Sequence, residues 1–512
     1  MNNQSNSKRL VKNTAYMYLR MLFMTLISLY TSRVILKQLG VEDYGIYNVV
    51  GSIVLLFSSL KTIFAQSTQR FLNYEMGKEN YDKLNTIFNI SAVVNLIIAA
   101  ALVVGVEAVG TWFLEYKVNV APDRLLATKI IFQCSIVATV FSLMANPFNA
   151  CIIAHEKMDF YAGLSIVEAI LRLAICFVLP FGGFDKLILY GVLMMVINIV
   201  VFLISWIYCR HQFSECRYSK AWDKEYFKKL TSFAGWSFLG NTSYALSQSG
   251  VNLVLNVFGG PVVNAARGVA YQINSTLQGF VSNIVVVVRP YFTQIYASGQ
   301  VDKAMDFIYF SSKLYFYIQI VLVVCFTFIC KYIIELWLGQ IPEYSIVFIN
   351  LVLFHSLVKS LCGPIDMLFF ANGNIKWYQI IEGIILALPL PLSHIALGVG
   401  APYSSVFVIM IICEILHVLA ICYLAKSICG LNFNTYIKAV IMPCLFSVLL
   451  FIGGYMLSMN FCNYLYGKIL AALVTLGIIT VFLYKLGLDQ KEKSYIKQLA
   501  TSIVFKRISK SK

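Results

Sequence analysis

Ser237, Asn241, Tyr244, Gln248 and Asn252 follow one another at spacings of four, three, four and four. On an α-helix that places five hydroxyls and amides in one stripe. A second stripe follows: Asn264, Arg267, Tyr271, Asn274, Gln278 and Ser282, again in steps of three or four. Amides and hydroxyls in rows can hold sugars, and a guanidinium can fork onto phosphate oxygens where a lysine acts as a point charge. Arg20 and Lys61 place two more cations inside apolar surroundings, and Tyr47, Gly51, Ser58, Lys61 and Thr68 form a rougher stripe. Arg33 follows Arg20 by 13 residues, about 140° around a helix, and snorkelling to headgroups suffices for it. Lys359 and Asp366 flank Gly363–Pro364, so a broken helix with a charge pair is expected, as a hinge or an ion-coupling site. Glu382 is a further ion-coupling candidate, with Glu414, His355, His394 and His417 as other buried titratable groups. Glu168 and Arg172, four apart, should neutralise each other.

The elements that must position these groups are membrane helices. The chain has 512 residues, 59% hydrophobic and only 12% charged, where a soluble protein would carry roughly a quarter charged. A span needs roughly 20 apolar residues, and about fourteen such runs recur. They are expected at 12–38, 44–69, 84–109, 124–153, 160–181, 187–209, 231–258, 263–295, 305–337, 344–371, 376–397, 403–426, 436–458 and 464–487. The first reads as an uncleaved span, being too long for a signal h-region. The organisation expected is a six-helix lobe (1–209), a basic linker (210–230), a second six-helix lobe (231–430), two extra helices (431–488) and a basic tail (489–512). Gly40 pairs with Gly259 and Arg70 with Arg289, both 219 residues apart, a weak repeat that implies parallel lobes with a binding site between them.

The net charge of +16 concentrates before the first run, after the second, in the linker and in the tail. This positive-inside bias puts both termini in the cytoplasm and makes anionic lipid headgroups the electrostatic partner. It offers no aromatic-basic groove for nucleic acid. Tyr226, Phe227 and Leu230 in the linker and Ile496, Leu499 and Ile503 in the tail suggest interfacial helices. The 13 cysteines show no zinc or disulfide spacing, and no metal is expected. Gly77–Lys78 and Gly467–Lys468 lack a phosphate loop's upstream glycine. No serine elbow is present, so no catalytic residue is assigned.

The stretch Asn13-Thr14-Ala15 through Arg33, then Leu39-Gly40-Val41-Glu42-Asp43-Tyr44-Gly45-Ile46-Tyr47, resembles the start of bacterial polysaccharide exporters. These are the O-antigen flippase-like branch of the multidrug/oligosaccharidyl-lipid/polysaccharide (MOP) exporter superfamily. Ala371-Asn372-Gly373-Asn374-Ile375-Lys376 resembles the same branch. The resemblance implies an all-α, MATE-like fold of two six-helix lobes plus two C-terminal helices. It implies a flippase that moves an undecaprenyl-pyrophosphate-linked oligosaccharide to the outer leaflet of the bacterial inner membrane by alternating access. Its cavity would be cationic and lined by the first, second, seventh and eighth spans, which carry Arg20, Lys61 and Arg267. No cofactor is expected beyond a proton or sodium gradient, and other glycan-assembly membrane proteins are admissible partners. The rival readings are a cation-coupled multidrug antiporter of the related MATE branch, which favours acidic cavity residues, and a polytopic glycan-assembly enzyme, which favours a large outer loop.

Overall fold

The computed structural model describes residues 3–116, 122–181, 183, 185–219, 222–338, 341–461, 464–490 and 492–493. All regular structure among them is helical, as a bilayer requires when each backbone N–H and C=O must be satisfied within its own segment. In order these are α1 (Asn3–Gly77), α2 (Asp82–Tyr116), α3 (Leu125–Met144), α4 (Asn146–Ala154), α5 (Met158–Val178), α6 (Lys186–Gln212), α7 (Lys224–Ala297) and α8 (Val301–Leu338). They continue with α9 (Ser345–Lys359), α10 (Cys362–Asn372), α11 (Lys376–Ala387), α12 (Pro389–Gly398), α13 (Ser405–Cys429), α14 (Phe433–Tyr436), α15 (Met442–Phe461) and α16 (Leu465–Phe482). Ten helices or runs of consecutive helices among the described residues are long and apolar enough to cross a membrane. The chain is a multi-pass membrane protein.

Four of the expected spans are not among those ten, and all four lie in α1 and α7. These helices run for 75 and 74 residues, and each breaks once, at Gly40 (φ 81°) and at Gly260 (φ 70°). A positive φ with ψ near 180° is open essentially to glycine alone. The polar stripes on α7 dilute its apolar windows. The second break falls one residue past the Gly259 that the sequence pairing pointed to. Gly259 stays helical and leaves room for the Val263 side chain instead.

Two compact units make up the chain. One comprises Arg9–Phe238 with Val286–Ser298, and the other Leu239–Val285 and Gly299–Lys512 with Met1–Lys8. In the first, Ile35, Leu39, Ile46 and Val50 of α1 pack with Leu102 of α2, Phe132 of α3 and Leu187 of α6. Lipid tails are as apolar as these side chains, so close packing and interhelical hydrogen bonds hold such a core together. The linker is strapped down: Asn85 donates to the carbonyls of Glu215 (2.9 Å) and Arg217 (2.7 Å). Glu215 turns back to His155, which holds its carboxyl below the usual range despite burial. The linker's apolar stripe does not form a separate surface helix. It is the first turns of α7, where Leu230 is buried and Tyr226 donates to Glu75 at 2.8 Å. The tail stripe of Ile496, Leu499 and Ile503 lies outside the described residues.

In the second unit, α7 meets α11 through small residues. A Cβ on Gly240 would stand 1.8 Å from Gln379 Oε1 and 2.9 Å from its Cδ, and Gln379 is itself buried. Gly240→Ala is therefore expected to lower stability by about 1–3 kcal/mol, the usual cost of overpacking. Thermal unfolding in detergent reads the loss, and adding Gln379→Ala should recover most of it. An unchanged midpoint in the single variant would show that α11 yields freely.

Candidate functional site

The two stripes of α7 meet in the second unit. Past the break at Gly260, the chain brings Arg267 to residues 15 and 19 positions earlier in the sequence. Its Nη1 donates to Asn252 Oδ1 at 3.0 Å, and its Nη2 donates to the Gln248 carbonyl (3.0 Å) and Gln248 Oε1 (3.3 Å). The guanidinium lies 4.2 Å from the centre of the Tyr271 ring. Tyr271 donates its hydroxyl proton to the same Gln248 Oε1 at 3.0 Å. Four of the predicted residues, Gln248, Asn252, Arg267 and Tyr271, thus form one network, and Arg267 is only 9% exposed. Asn241 is exposed further along α7, Gln278 is half-buried, and Asn274 Oδ1 is buried with no hydrogen-bond partner among the described residues.

In the first unit, Arg20 Nε donates to Ser165 Oγ at 2.8 Å, and the guanidinium covers the Tyr161 ring at 4.9 Å. The side chains of Lys61 and Arg33 lie outside the described residues. Arg20 and Arg267 are bonded differently from three other arginines. Those three are matched to carboxylates: Arg9 to Glu156, Arg124 to Asp43 and Asp185, and Arg172 to Glu168. The hydrogen bonds of Arg20 and Arg267 go to neutral oxygens, and among the described residues neither has a carboxylate within ion-pair distance. A guanidinium solvated by amides and aromatic faces keeps its full charge for an incoming anion.

Around the same unit a second set of polar groups gathers. The break that the sequence placed at Gly363–Pro364 falls at Ser360–Leu361, between α9 and α10. Pro364 sits in the first turn of α10, where no N–H is needed. Lys359 donates to the Tyr244 hydroxyl at 3.0 Å, and Asp366 accepts from the Tyr378 hydroxyl at 2.9 Å. Glu382 stands one turn beyond Tyr378 on α11. Glu414 of α13 lies 3.1 Å from His417 Nδ1 and 3.2 Å from His355 Nε2. Cys362 Sγ donates to Glu414 Oε1 at 3.4 Å. Tyr378 and Cys362 carried no signal at the sequence level, since a lone tyrosine or cysteine in an apolar run reads as packing.

The profile of the family described as "Polysaccharide biosynthesis protein" matches residues 10–296. No curated protein matches the chain significantly. Solved structures share the fold. A MATE protein in the straight conformation superposes at TM-score 0.73, with 13% identity over 83% of this chain and 97% of the other. A multidrug resistance MATE family transporter in the outward-facing conformation gives 0.71 and 13%, over 83% and 96%. A MOP superfamily transporter from Pyrococcus furiosus, whose binding pocket has a reverse polarity suggesting a different function, gives 0.69 and 13%, over 84% and 97%. At such identities the likeness establishes the fold, and the profile, which spans more than half the chain, establishes the lineage: this chain belongs to the polysaccharide biosynthesis protein family, within the MOP superfamily of exporters.

Proposed function

We propose that this exporter is a flippase of the bacterial inner membrane, with both termini cytoplasmic, that carries a polyprenyl-pyrophosphate-linked oligosaccharide to the outer leaflet for surface polysaccharide assembly. The observation that carries the reading is the unneutralised Arg267, buried in a transmembrane unit among Asn252, Gln248 and Tyr271. Leaving a charge so far from water is costly, and a diphosphate that completes its coordination offsets that cost. The neighbouring amides suit the sugars. Arg20 gives the first unit an equivalent cation on neutral partners. The antiporter reading draws on the buried Glu414 and on the MATE fold, but a cationic drug would be repelled by Arg267. The deciding experiment is identification of the lipid that accumulates in the inner leaflet of a deletion strain, with flipping of that lipid by the protein in proteoliposomes. Accumulation of no glycolipid, together with drug sensitivity, would reverse the choice.

Anionic lipids are the proposed surface partners. In the first unit a cavity of about 660 Å³ is lined by Arg210, His211 and Arg217 beside Phe88, Phe148 and Trp206, which fits a headgroup with its acyl root.

Coupling to a proton or sodium gradient is assigned to the Lys359, Asp366 and Glu382 region. Asp366→Asn keeps an acceptor for Tyr378 but cannot titrate. Its transport is expected to fall at least tenfold under an imposed gradient and to lose its dependence on pH or sodium. Transport with wild-type ion dependence would remove Asp366 from the coupling path.

A further inference from the structure

Cys362, Glu414 and His417 form a closed triangle of ligand atoms buried in the second unit. Glu414 Oε1 lies 3.4 Å from Cys362 Sγ and 3.1 Å from His417 Nδ1, and Sγ and Nδ1 are 3.6 Å apart. All three residues are buried, with 4%, 1% and 2% exposure. As hydrogen bonds alone the triangle is under-supplied. With the carboxylate ionised, one thiol proton and one ring proton must serve three edges. A single ion at the centre satisfies all three at once.

We infer that Cys362, Glu414 and His417 form a binding site for a thiophilic divalent metal of the zinc class. Zinc bonds of about 2.3 Å to sulfur and about 2.0–2.2 Å to nitrogen and oxygen make tetrahedral edges of about 3.5 Å from sulfur and about 3.3 Å between nitrogen and oxygen. The three observed edges lie within a few tenths of an ångström of those lengths. Thiolate and imidazole select zinc, cobalt or copper over sodium, magnesium or calcium, which prefer all-oxygen shells. Charge agrees as well. One thiolate and one carboxylate cancel a divalent ion, so the loaded site is neutral in a medium where net charge is costly.

The surroundings are consistent with a built site. His355 Nε2 stands 3.2 Å from Glu414 Oε2, the oxygen that the triangle does not use. It can orient the carboxylate as outer-shell partners of metal ligands do. The nearby ammonium of Lys359 is turned to the Tyr244 hydroxyl, and Asp366 is occupied by Tyr378. Loading releases the Cys362 thiol proton to solvent and leaves the ring proton of His417 on Nε2. The ion would join α10 to α13 beside the Ser360–Leu361 break and so stiffen that joint.

Cobalt(II) is the probe. Full-length protein in detergent, stripped by a chelator, is titrated with Co²⁺ and then with Zn²⁺. The expected result is one Co²⁺ per chain, with the intense bands of a tetrahedral ion and a thiolate-to-cobalt charge-transfer band, both erased by one equivalent of Zn²⁺. Cys362→Ser and Cys362→Ala lose the charge-transfer band, whereas Cys422→Ser, a buried cysteine elsewhere on α13, keeps it. His355→Ala weakens binding by about 10–100-fold without removing the band. Stripped of metal, the variants should unfold at the same temperature as the stripped parent. A weak octahedral spectrum, no charge-transfer band, or a band that survives both Cys362 changes would overturn the assignment. No readout involves transport, so the outcome is independent of the cargo.

Discussion

Arg267→Ala is expected to cut glycolipid flipping by about 10–150-fold while leaving the protein folded and at normal abundance. The size follows from losing one charge-assisted contact to the cargo, worth about 1.5–3 kcal/mol. The tolerance follows from what Arg267 touches. Asn252 and Gln248 are neutral, and Gln248 Oε1 keeps its hydrogen bond from Tyr271. Removing the guanidinium therefore strands no buried opposite charge, which is the usual reason that deleting a buried arginine unfolds a protein. Two further variants separate charge from geometry. Arg267→Lys keeps the charge and loses the fork, so an intermediate rate is expected. Arg267→Gln removes the charge and should behave like alanine. Flipping is read in proteoliposomes and surface glycan in cells. Wild-type flipping by both the alanine and glutamine variants would separate this cation from the cargo.

The α7 network was partly legible in advance, because a helical stripe depends only on spacing, and Gln248, Asn252, Arg267 and Tyr271 each fell on one. How the two stripes meet was not legible. The chain turns at Gly260, and a single positive φ there decides which residue of the second arm faces Gln248. The same limit explains Lys359 and Asp366. Spacing suggested a charge pair, but α9 ends between them, and each finds a tyrosine on another helix. Cys362, Glu414 and His417 could not be grouped from the sequence. The cysteine is 52 residues from the carboxylate, and only the packing of α10 on α13 joins them. From residue types alone the Gly40 motif is a family signature without a physical reason. Structure supplies one: Gly40 breaks α1, and Asp43 stands in the first turn after the break.

Asp43 leads to the largest expected effect on stability. Arg124, at the start of α3, donates through Nε to Asp43 Oδ1 at 2.8 Å and through Nη2 to Oδ2, a bidentate fork. Its Nη1 reaches Asp185. Asp185 in turn caps α6, accepting from the backbone N–H of Leu187 at 2.9 Å and of Ile188 at 3.2 Å. One guanidinium thus ties α1, α3 and α6 together. The Asp43 side chain is 9% exposed and that of Arg124 is 25% exposed. Arg124→Ala leaves a buried carboxylate without its counter-charge. The expected loss is about 3 kcal/mol, the lower end for a broken buried pair, because part of the arginine reaches solvent. Asp43→Asn alone is milder, since an amide still accepts one hydrogen bond and strands no anion. The double variant Asp43→Asn/Arg124→Gln should be more stable than Arg124→Ala, because no charge remains unpaired at Asp43. That ordering is measurable as the thermal unfolding midpoint in detergent. If the double variant proved less stable than Arg124→Ala, Asp43 would not be the residue that makes Arg124 indispensable, and the cap on α6 through Asp185 would be the stronger of the two links.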